Sequence, residues 1–249
     1  MSVIPERRPG PESAQLHGGF ELAVTPVQEN ALNQLDQFMA LHGRVSAVRR
    51  PWKRTLDLVV SLPFLLLAIP VVASAALLVL IFDRHAPFYA DTRVGRGGRP
   101  FRCLKLRTMD ADPDILADYF AANLEEGEQY RRTRKLRFDP RITPLGAFLR
   151  HTSIDEFPQL LNVLRGEMSV VGPRPVAPSE LLARGPEGLP LTLVRPGLTG
   201  LWQVRGRSDL TLRRRIALDN FYAHRCSLRM DLGILMETPL AVLRGKGAR

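Results

Sequence analysis

Residues 58–82 read LVVSLPFLLLAIPVVASAALLVLIF, a stretch of 25 residues without one ionisable side chain. An α-helix of this length reaches about 37 Å, which exceeds the ~30 Å hydrocarbon core of a bilayer. Helices of soluble proteins are seldom this long and this uniformly apolar, so the stretch predicts a helix inserted in a membrane. The alternative interpretation is a helix buried in the core of a soluble domain.

Proline and flanking charge bear on how this helix enters the membrane. Pro70 lies in mid-stretch, where it removes an intrahelical hydrogen bond and bends the helix, and Pro63 offers a second break. The chain beyond Phe82 is basic, with 28 Lys and Arg against 19 Asp and Glu, as is the segment before the helix. Positive charge favours the cytoplasmic side. We therefore predict a kinked, re-entrant helix that returns to the same face, with a single crossing as the alternative.

The segment before the helix, RRPWKR at residues 49–54, has the basic and aromatic character of a cytoplasmic interface anchor. Asp57 follows it, and a carboxylate is costly at depth in a bilayer. We expect Asp57 at the level of the headgroups, with Arg54 or Lys53 nearby. The N-terminus is polar without an early apolar core, so no secretory signal is visible and the soluble part is expected in the cytosol.

Composition narrows the class of partner without selecting one. The formal net charge is +10, from 35 Lys and Arg against 25 Asp and Glu. This balance suits nucleic acid, anionic lipid headgroups or phosphorylated substrates. The two cysteines, Cys103 and Cys226, make neither a disulfide framework nor a metal cluster, which fits a reducing compartment.

Three regions follow along the chain. Residues 1–50 form a polar tail with a short amphipathic helix at 30–41, which we expect to lie on the membrane or on the domain. Residues 51–83 hold the basic flank and the membrane helix. Residues 84–249 are expected to fold as a compact, mostly helical α+β domain. Its predicted helices lie at residues 114–137, 145–150, 157–164, 208–222 and 230–243, with Gly166 as a C-cap.

A glycine cluster marks a turn early in this domain. Residues 88–94 and 99–106 flank Gly95-Arg96-Gly97-Gly98, a pattern that predicts a β-hairpin whose glycines supply positive φ. The same cluster could instead cradle a phosphate group, although one glycine turn is weak evidence for that.

An acidic pair carries the strongest chemical signal. Asp155 and Glu156 precede Pro158, which is tolerated only in the first turn of a helix, so Asp155 is predicted at or near an N-cap. Carboxylates there favour the ionised form, can coordinate a divalent cation that carries phosphate, and can attack phosphorus directly. The alternative is an ordinary capping box, Ser153-x-x-Glu156, with no chemical role.

Cations elsewhere in the domain favour the chemical interpretation. Arg174 lies between two prolines in Val171-Gly172-Pro173-Arg174-Pro175, a stiff mount for a guanidinium that binds phosphate, or else a plain surface turn. Further cations in the same half of the chain are Lys105, Arg107, Arg141 and Arg150. A phosphorylated substrate needs such charges beside a carboxylate pair that binds metal.

A series of motifs runs in one order through residues 51–249. It includes Lys53-Arg54-x-x-Asp57, Arg93-Val94-Gly95-Arg96, Lys105-Leu106-Arg107-Thr108-Met109, Asp139-x-Arg141-x-Thr143-Pro144-Leu145-Gly146, Arg150-x-x-Ser153-Ile154-Asp155-Glu156-x-Pro158-Gln159, Val171-Gly172-Pro173-Arg174-Pro175 and Arg195-Pro196-Gly197-Leu198-Thr199-Gly200. The series resembles the bacterial sugar transferase family, the monotopic phosphoglycosyl transferases, whose larger members prime exopolysaccharide and O-antigen synthesis.

The resemblance implies a mechanism and a set of site residues. Asp155 would attack the sugar-linked phosphate of a UDP-sugar, release UMP and form a covalent phosphosugar intermediate, which undecaprenyl (polyprenyl) phosphate then accepts. Glu156 would help to hold Mg²⁺. Arg174 would bind phosphate and Arg150 would brace the acidic pair or a substrate, and we add Lys105 and Arg107 as substrate-binding residues.

The resemblance also implies a location and shows one departure. It places the enzyme in the bacterial inner membrane, with the catalytic domain on the cytosolic face and the helix re-entrant, as Pro70 suggests. The family often has serine before the kink proline, where its hydroxyl can satisfy a freed carbonyl. Ile69 stands there in this chain, so its kink must be stabilised otherwise or its helix is straighter.

Two rival functions come from other classes. A membrane-tethered nucleic-acid-binding protein should show a basic stripe with exposed aromatic residues, whereas aromatic residues make up 7% of this chain and the basic residues alternate with acids and prolines. A non-catalytic scaffold is disfavoured because Asp155, Glu156 and Arg174 are all present. The sequence does not specify the sugar, the polysaccharide pathway or the oligomeric state, monomer or homo-oligomer.

Overall fold

The computed structural model of the protein describes residues 26–42, 50–112, 114–133, 136, 138–206 and 210–243. The helices among them are α1 (Pro26–His42), α2 (Pro51–Leu78), α3 (Asp114–Ala122), α4 (Leu124–Thr133), α5 (Pro144–Thr152), α6 (Gln159–Arg165), α7 (Pro178–Arg184), α8 (Leu201–Val204), α9 (Leu212–Arg225) and α10 (Leu228–Leu243). The strands are β1 (Phe88–Val94), β2 (Pro100–Leu106), β3 (Ser169–Val171) and β4 (Gly197–Thr199). A π-helical turn (Val79–Asp83) extends α2, and 3₁₀ segments lie at Arg96–Gly98, Ile154–Glu156 and Gly185–Leu193.

Helix α2 contains the apolar stretch. With its π-helical extension it spans 33 residues; its most apolar window of 18 residues has a mean hydropathy of 2.9, and 22% of that window is buried. The large side chains of Leu66, Leu67 and Phe82 are mostly exposed. A core helix would bury such side chains, so the exposure favours a membrane helix over the buried alternative. Pro63 and Pro70 both lie inside it.

The start of α2 is built into the domain that follows it. Lys53 is buried and donates hydrogen bonds to the Asp231 carboxylate, to the Tyr222 hydroxyl at 2.9 Å and to the Val171 carbonyl oxygen at 2.7 Å. Tyr222 in turn donates to Asp231 at 2.7 Å. This network joins α2 to β3, α9 and α10, so Lys53 faces protein instead of the lipid interface that the sequence suggests.

Asp57 is fully buried inside the protein. The Ser169 hydroxyl and the backbone N–H of Val170 donate to its Oδ1 atom at 2.7 and 2.9 Å. Arg54 points to the end of α6, where it donates to two backbone carbonyl oxygens at 2.6 Å each. Both donors reach the Oδ1 atom, whereas the buried Oδ2 atom has no hydrogen-bond partner among the described residues.

The far end of α2 contacts the same domain. Ala75, Ala76 and Val79 are buried in one cluster with Leu106 of β2 and Leu149 of α5. Both ends of the apolar helix therefore pack against one globular unit.

The predicted hairpin is present. Strands β1 and β2 pair antiparallel from Phe88 opposite Leu106 to Val94 opposite Pro100. The turn between them needs glycine, because φ is +71° at Gly97 and +76° at Gly98.

The amphipathic helix of the N-terminal region is α1, and it lies on the domain. Leu35 and Met39 are buried in a cluster with Val94, Val176 and Leu181. This contact decides between the two placements that the sequence left open. The tail at residues 1–25 lies outside the described residues.

The centre of the domain is a short parallel pair that the sequence analysis misses. Strands β3 and β4 pair Ser169 with Gly197 and Val171 with Thr199. A Cβ atom on Gly197 would lie 2.0 Å from the backbone nitrogen of Gly172, so the approach of these two segments requires glycine. The main hydrophobic cluster surrounds this pair and includes Val163, Met168, Val171, Leu193, Tyr222 and Ile234.

The predicted helices are present with shifted ends. Helices α3 and α4 divide the segment 114–137, α5 covers 145–150, and α9 and α10 cover most of 208–222 and 230–243. Helix α6 begins at Gln159 and ends with Gly166 as a C-cap at φ +80°, as predicted.

Candidate active site

The acidic pair lies in a tight turn between α5 and α6. Asp155 and Glu156 occupy the 3₁₀ segment Ile154–Glu156, which follows Ser153 at φ +59°. The sequence predicts Asp155 at the N-cap of a helix with Pro158 in its first turn. Instead, Pro158 is the N-cap of α6 and Asp155 precedes the helix by four residues, because the 3₁₀ turn intervenes.

The acidic turn lacks the hydrogen bonds of a capping box. Neither Ser153 nor Pro158, the residues at the N-cap positions, makes a side-chain capping hydrogen bond. Within the described residues, no other side chain donates a hydrogen bond to the Asp155 carboxylate, although Asp155 is only 7% exposed. A buried polar group without a partner is costly and needs an explanation. The geometry thus gives no support to the capping-box alternative.

Glu156 is paired with a lysine of the hairpin. Lys105 on β2 donates to the Oε1 atom of Glu156 at 3.0 Å, and both side chains are partly exposed. Burial opposes ionisation of Glu156, but the charges of Lys105 and Arg174 outweigh burial and lower the pKa of Glu156 below its usual value. Glu156 is therefore a carboxylate at neutral pH.

For Asp155, burial outweighs the effect of the nearby positive charges on its pKa. Burial raises the pKa of Asp155 from 3.8 to about 6, against the charges of Lys105 and Arg150, while the charge of Glu156 adds to the rise. Arg150 is held beside the turn by a hydrogen bond from its Nε atom to the Thr108 hydroxyl at 2.8 Å. A carboxylate of this pKa is mostly ionised at pH 7 and more basic than an ordinary aspartate, which suits a nucleophile.

Arg174 lies between Pro173 and Pro175, in the segment that connects β3 to α7. Its exposed side chain leaves the segment between β3 and α7. On either side of it, the carbonyl oxygens of Pro173 and Val176 accept hydrogen bonds from the backbone N–H groups of Gly197 at 2.8 Å and Val94 at 2.9 Å. The charge of Arg174 reaches the acidic pair, since it contributes to the lowered pKa there.

Two other predicted residues have contacts elsewhere. Arg107 donates to the Ala86 carbonyl oxygen at 2.9 Å and lies 5.7 Å over the Tyr89 ring. Pro70 lies within α2 and takes no part in the site. The structure therefore brings together Lys105, Arg150, Asp155, Glu156 and Arg174.

Sequence reasoning does not assign a site role to two further residues. Arg93 on β1 forms an ion pair with Asp91 at 2.6 Å, and its charge also lowers the pKa of Glu156. Thr108 positions Arg150. Both belong to motifs that the sequence shows, but only the tertiary fold reveals what they face.

The acidic pair suits a metal ion that arrives with its substrate. Within the described residues, no group of three or more His, Cys, Asp or Glu is placed to hold a metal. Mg²⁺ is commonly bound by one or two carboxylates together with water and substrate phosphates. Asp155 and Glu156 supply two adjacent carboxylates of this kind, so the donor set fits Mg²⁺ held jointly with a phosphorylated substrate.

The chain is similar to a described family and to several known proteins. The chain matches the family described as "Bacterial sugar transferase" over residues 48–245. It is 42% identical over 207 residues to the exopolysaccharide production protein ExoY of Rhizobium meliloti, covering 83% of this chain and 92% of that protein. It is 40% identical over 197 residues to the undecaprenyl-phosphate galactose phosphotransferase of Salmonella typhimurium, covering 79% of this chain and 41% of that protein.

A further relative is the UDP-glucose:undecaprenyl-phosphate glucose-1-phosphate transferase of Caulobacter vibrioides. It is 41% identical over 199 residues, which cover 77% of this chain and 69% of that protein. The family match includes α2, the hairpin, the acidic turn and the Arg174 segment. This chain belongs to the bacterial sugar transferase family.

Proposed function

We propose that this enzyme is a phosphoglycosyl transferase that moves a sugar 1-phosphate from a UDP-sugar to undecaprenyl phosphate and releases UMP. The reaction would be the first membrane step of exopolysaccharide, capsule or O-antigen synthesis. Family membership and the names of the Salmonella and Caulobacter relatives support this activity. The observation that carries it is Asp155, a buried carboxylate with no side-chain donor in a cationic turn.

The chemistry proceeds as two displacements at one phosphorus atom. An Asp155 carboxylate oxygen attacks the sugar-bearing phosphorus, the bond from that phosphorus to the oxygen shared with UMP breaks, and UMP leaves with the electron pair. An oxygen of undecaprenyl phosphate then attacks the same phosphorus and releases the Asp155 carboxylate. The product is an undecaprenyl diphosphate sugar.

The surrounding cations stabilise the charge that this chemistry handles. Lys105 donates to Glu156 at 3.0 Å, and the Arg174 guanidinium, which has no partner among the described residues, lies near enough to lower the pKa of Glu156. Arg150, fixed by Thr108, lies near enough to Asp155 to oppose the rise of its pKa. Fixed cations near the reacting phosphorus stabilise the transition state without reorganisation.

Mg²⁺ is the proposed cofactor. Asp155 and Glu156 would hold it, and when bound it would neutralise charge on the diphosphate of the donor. Glu156 suits this role because its lowered pKa keeps it ionised over the physiological pH range.

The membrane helix is proposed to be re-entrant, with the catalytic domain on the cytosolic face of the bacterial inner membrane. Two contacts at opposite ends of the helix support this. Lys53 is buried against Asp231, and Asp83 accepts a hydrogen bond from the Thr143 hydroxyl at 3.0 Å. One domain cannot lie on both sides of a bilayer, so both ends belong on one side.

The test of the activity is UMP release from a panel of UDP-sugars with undecaprenyl phosphate as acceptor. A competent preparation should release UMP with at least one donor. Mass spectrometry of a reaction stopped without acceptor should find the mass of a sugar phosphate on the peptide that contains Asp155. Turnover without any such adduct would argue against the covalent mechanism while leaving the overall activity in place.

A further inference from the structure

A second concentration of cations lies at the other end of α6. There the hairpin turn, the end of α6 and the segment before β4 enclose a cavity of about 480 Å³. Four guanidinium groups line it, those of Arg96, Arg99, Arg165 and Arg195. Its volume falls within the range of about 300–1,000 Å³ that is usual for small-molecule sites.

Positive charge exceeds negative charge in this cavity. In the part of the chain that the structure describes, none of the four guanidinium groups makes a hydrogen bond or an ion pair with a protein group. Among the described lining residues, Glu167 supplies one carboxylate against the four guanidinium groups, and it accepts a hydrogen bond from the Asn162 amide at 2.6 Å. Guanidinium groups gathered around one concave surface repel one another unless an anion joins them.

Arg195 shows this repulsion most clearly. It is half-buried, and burial lowers the pKa of its guanidinium. The nearby charges of Arg96 and Arg54 lower it further, against an opposing effect of Asp57. Asp57 is itself fully buried, its Oδ1 atom accepts hydrogen bonds from β3, and it is not among the residues that line the cavity.

We propose that this cavity binds a phosphate-bearing ligand other than the one whose phosphorus Asp155 attacks. Arginine forks bind phosphate oxygens bidentately, and several of them around one cavity suit an anion of this kind. Gly95 and Gly97 form part of the wall, and a Cβ atom on Gly97 would meet no atom within 4 Å. The glycine cluster of the hairpin thus serves both as a turn and as one wall of an anion site.

The cavity is separate from the acidic pair. Glu156 precedes α6, whereas Gly166 at the end of α6 lines the cavity. Helix α6 itself has seven residues and rises roughly 10 Å at 1.5 Å per residue. Neither Asp155 nor Glu156 lines the cavity, so we assign it to a phosphate other than the one that Asp155 attacks.

The position of the cavity is compatible with two kinds of phosphate-bearing ligand. A Cβ atom on Gly166 would lie 3.9 Å from the guanidinium carbon of Arg54 on α2, four residues before Leu58, the first exposed apolar residue of the membrane stretch. Four helical residues span about 6 Å along the axis. The phosphate of an anionic lipid headgroup and a soluble phosphate ester can both reach the cavity.

The experiment measures binding without turnover, so its result does not depend on the activity proposed above. Full-length protein in neutral detergent micelles, without Mg²⁺, is titrated calorimetrically with inorganic diphosphate and, separately, with dihexanoyl phosphatidylglycerol. We expect at least one probe to bind the wild type, with affinity that falls as salt rises. Binding of diphosphate alone identifies a soluble ester, and binding of the lipid alone identifies a headgroup.

Variants locate the binding. Arg195→Gln should weaken the affinity about tenfold or more, and so should Arg165→Gln. The Arg165 side chain is exposed and has no partner among the described residues, so its replacement should leave folding intact. Arg213→Gln on the exposed face of α9 is the matched control and should leave the affinity unchanged. The proposal is overturned if neither probe binds, if Arg213→Gln weakens binding as much, or if only Arg174→Ala weakens it, because the anion then lies at the acidic pair.

Discussion

Two buried aspartates in this molecule differ in whether protein side chains donate hydrogen bonds to them. Asp231 lies at the junction with the membrane helix, where the Lys53 ammonium and the Tyr222 hydroxyl both donate to it. Asp155 lies in the acidic turn, where no described side chain donates to it. Burial raises the pKa of both carboxyl groups. The difference is that protein side chains donate hydrogen bonds to Asp231, whereas the Asp155 carboxylate remains available to a ligand.

The comparison predicts that Asp231 is a structural carboxylate and Asp155 a reactive one. Removing one member of a buried, paired network leaves an uncompensated charge and costs stability. Removing a buried carboxylate that lacks a partner takes away a desolvation cost and leaves the fold unharmed. Substitutions at the junction should therefore change the free energy of unfolding, whereas substitutions in the acidic turn should change UMP release.

The largest effect is expected at Asp155. Asp155→Asn should reduce UMP release by at least about 10³-fold, because the amide is not a nucleophile. The folded-state pKa of about 6 lies above the ordinary value of 3.8, so the ionised group destabilises the fold at pH 7. The same variant should thus raise the free energy of unfolding, on the order of 1–3 kcal/mol. Full activity, or a large loss of stability, would assign Asp155 a structural role.

The second effect should appear in stability. Lys53→Met leaves Asp231 buried with one donor fewer and should lower the free energy of unfolding by about 3–5 kcal/mol in denaturant titrations. UMP release per folded molecule should stay within about twofold. Lys105→Met is the matched control, since its ion pair with Glu156 is partly exposed and should contribute at most about 1 kcal/mol.

The double variant Lys53→Met/Asp231→Leu sharpens this test. Replacing both charges with apolar groups removes the uncompensated carboxylate, so much of the lost stability should return. Equal destabilisation by Lys53→Met and Lys105→Met would remove the distinction between the junction and the acidic turn.

Glu156 should give the third effect. Glu156→Gln is expected to slow turnover by about 10²-fold and to raise the Mg²⁺ concentration needed for half-maximal activity, because a carboxamide is a weaker ligand for a hard cation. Initial rates across a Mg²⁺ series measure both. A Mg²⁺ dependence identical to that of the wild type would place the metal on other groups.

Arg174 should give a smaller loss without a change in folding. Arg174→Ala removes an exposed guanidinium that has no partner in the described part of the chain. We expect kcat/KM to fall by about 10–10²-fold and the melting temperature to stay unchanged. A clear drop in melting temperature would restore the interpretation of this segment as a structural turn.

Local patterns in the sequence predict a large part of this molecule. The apolar helix, the hairpin with its glycine turn and the C-cap at Gly166 depend on neighbouring residues, so composition and spacing reveal them. The motif around Asp155 and Glu156 locates the candidate site in the same way. The absence of a donor to Asp155 is not visible in the sequence, because it depends on what the rest of the fold brings near.

The parts that the sequence does not show depend on distant contacts. Lys53 and Asp231 are 178 residues apart, so the basic flank of α2 resembles an interface anchor until the fold pairs it. Strands β3 and β4 have three residues each, too few for a periodic pattern, and they pair across 25 residues of other structure. The burial of Asp57 is not visible in the sequence for the same reason, since its donors lie more than 110 residues away.

The pH dependence of the reaction should show the smallest effect. With the pKa of Asp155 near 6, kcat/KM should be level above pH 7 and fall below pH 6, reaching about one tenth of its plateau at pH 5, because protonation removes the nucleophile. Lys105 lowers that pKa, so Lys105→Met should move the midpoint of the profile upward. Lys53→Met changes the contacts of Lys53 with Asp231, Tyr222 and Val171, away from Asp155, and should leave the midpoint where it is. A profile that stays flat from pH 5 to 8, or that shifts equally in both variants, would show that the titrating group lies outside the acidic turn.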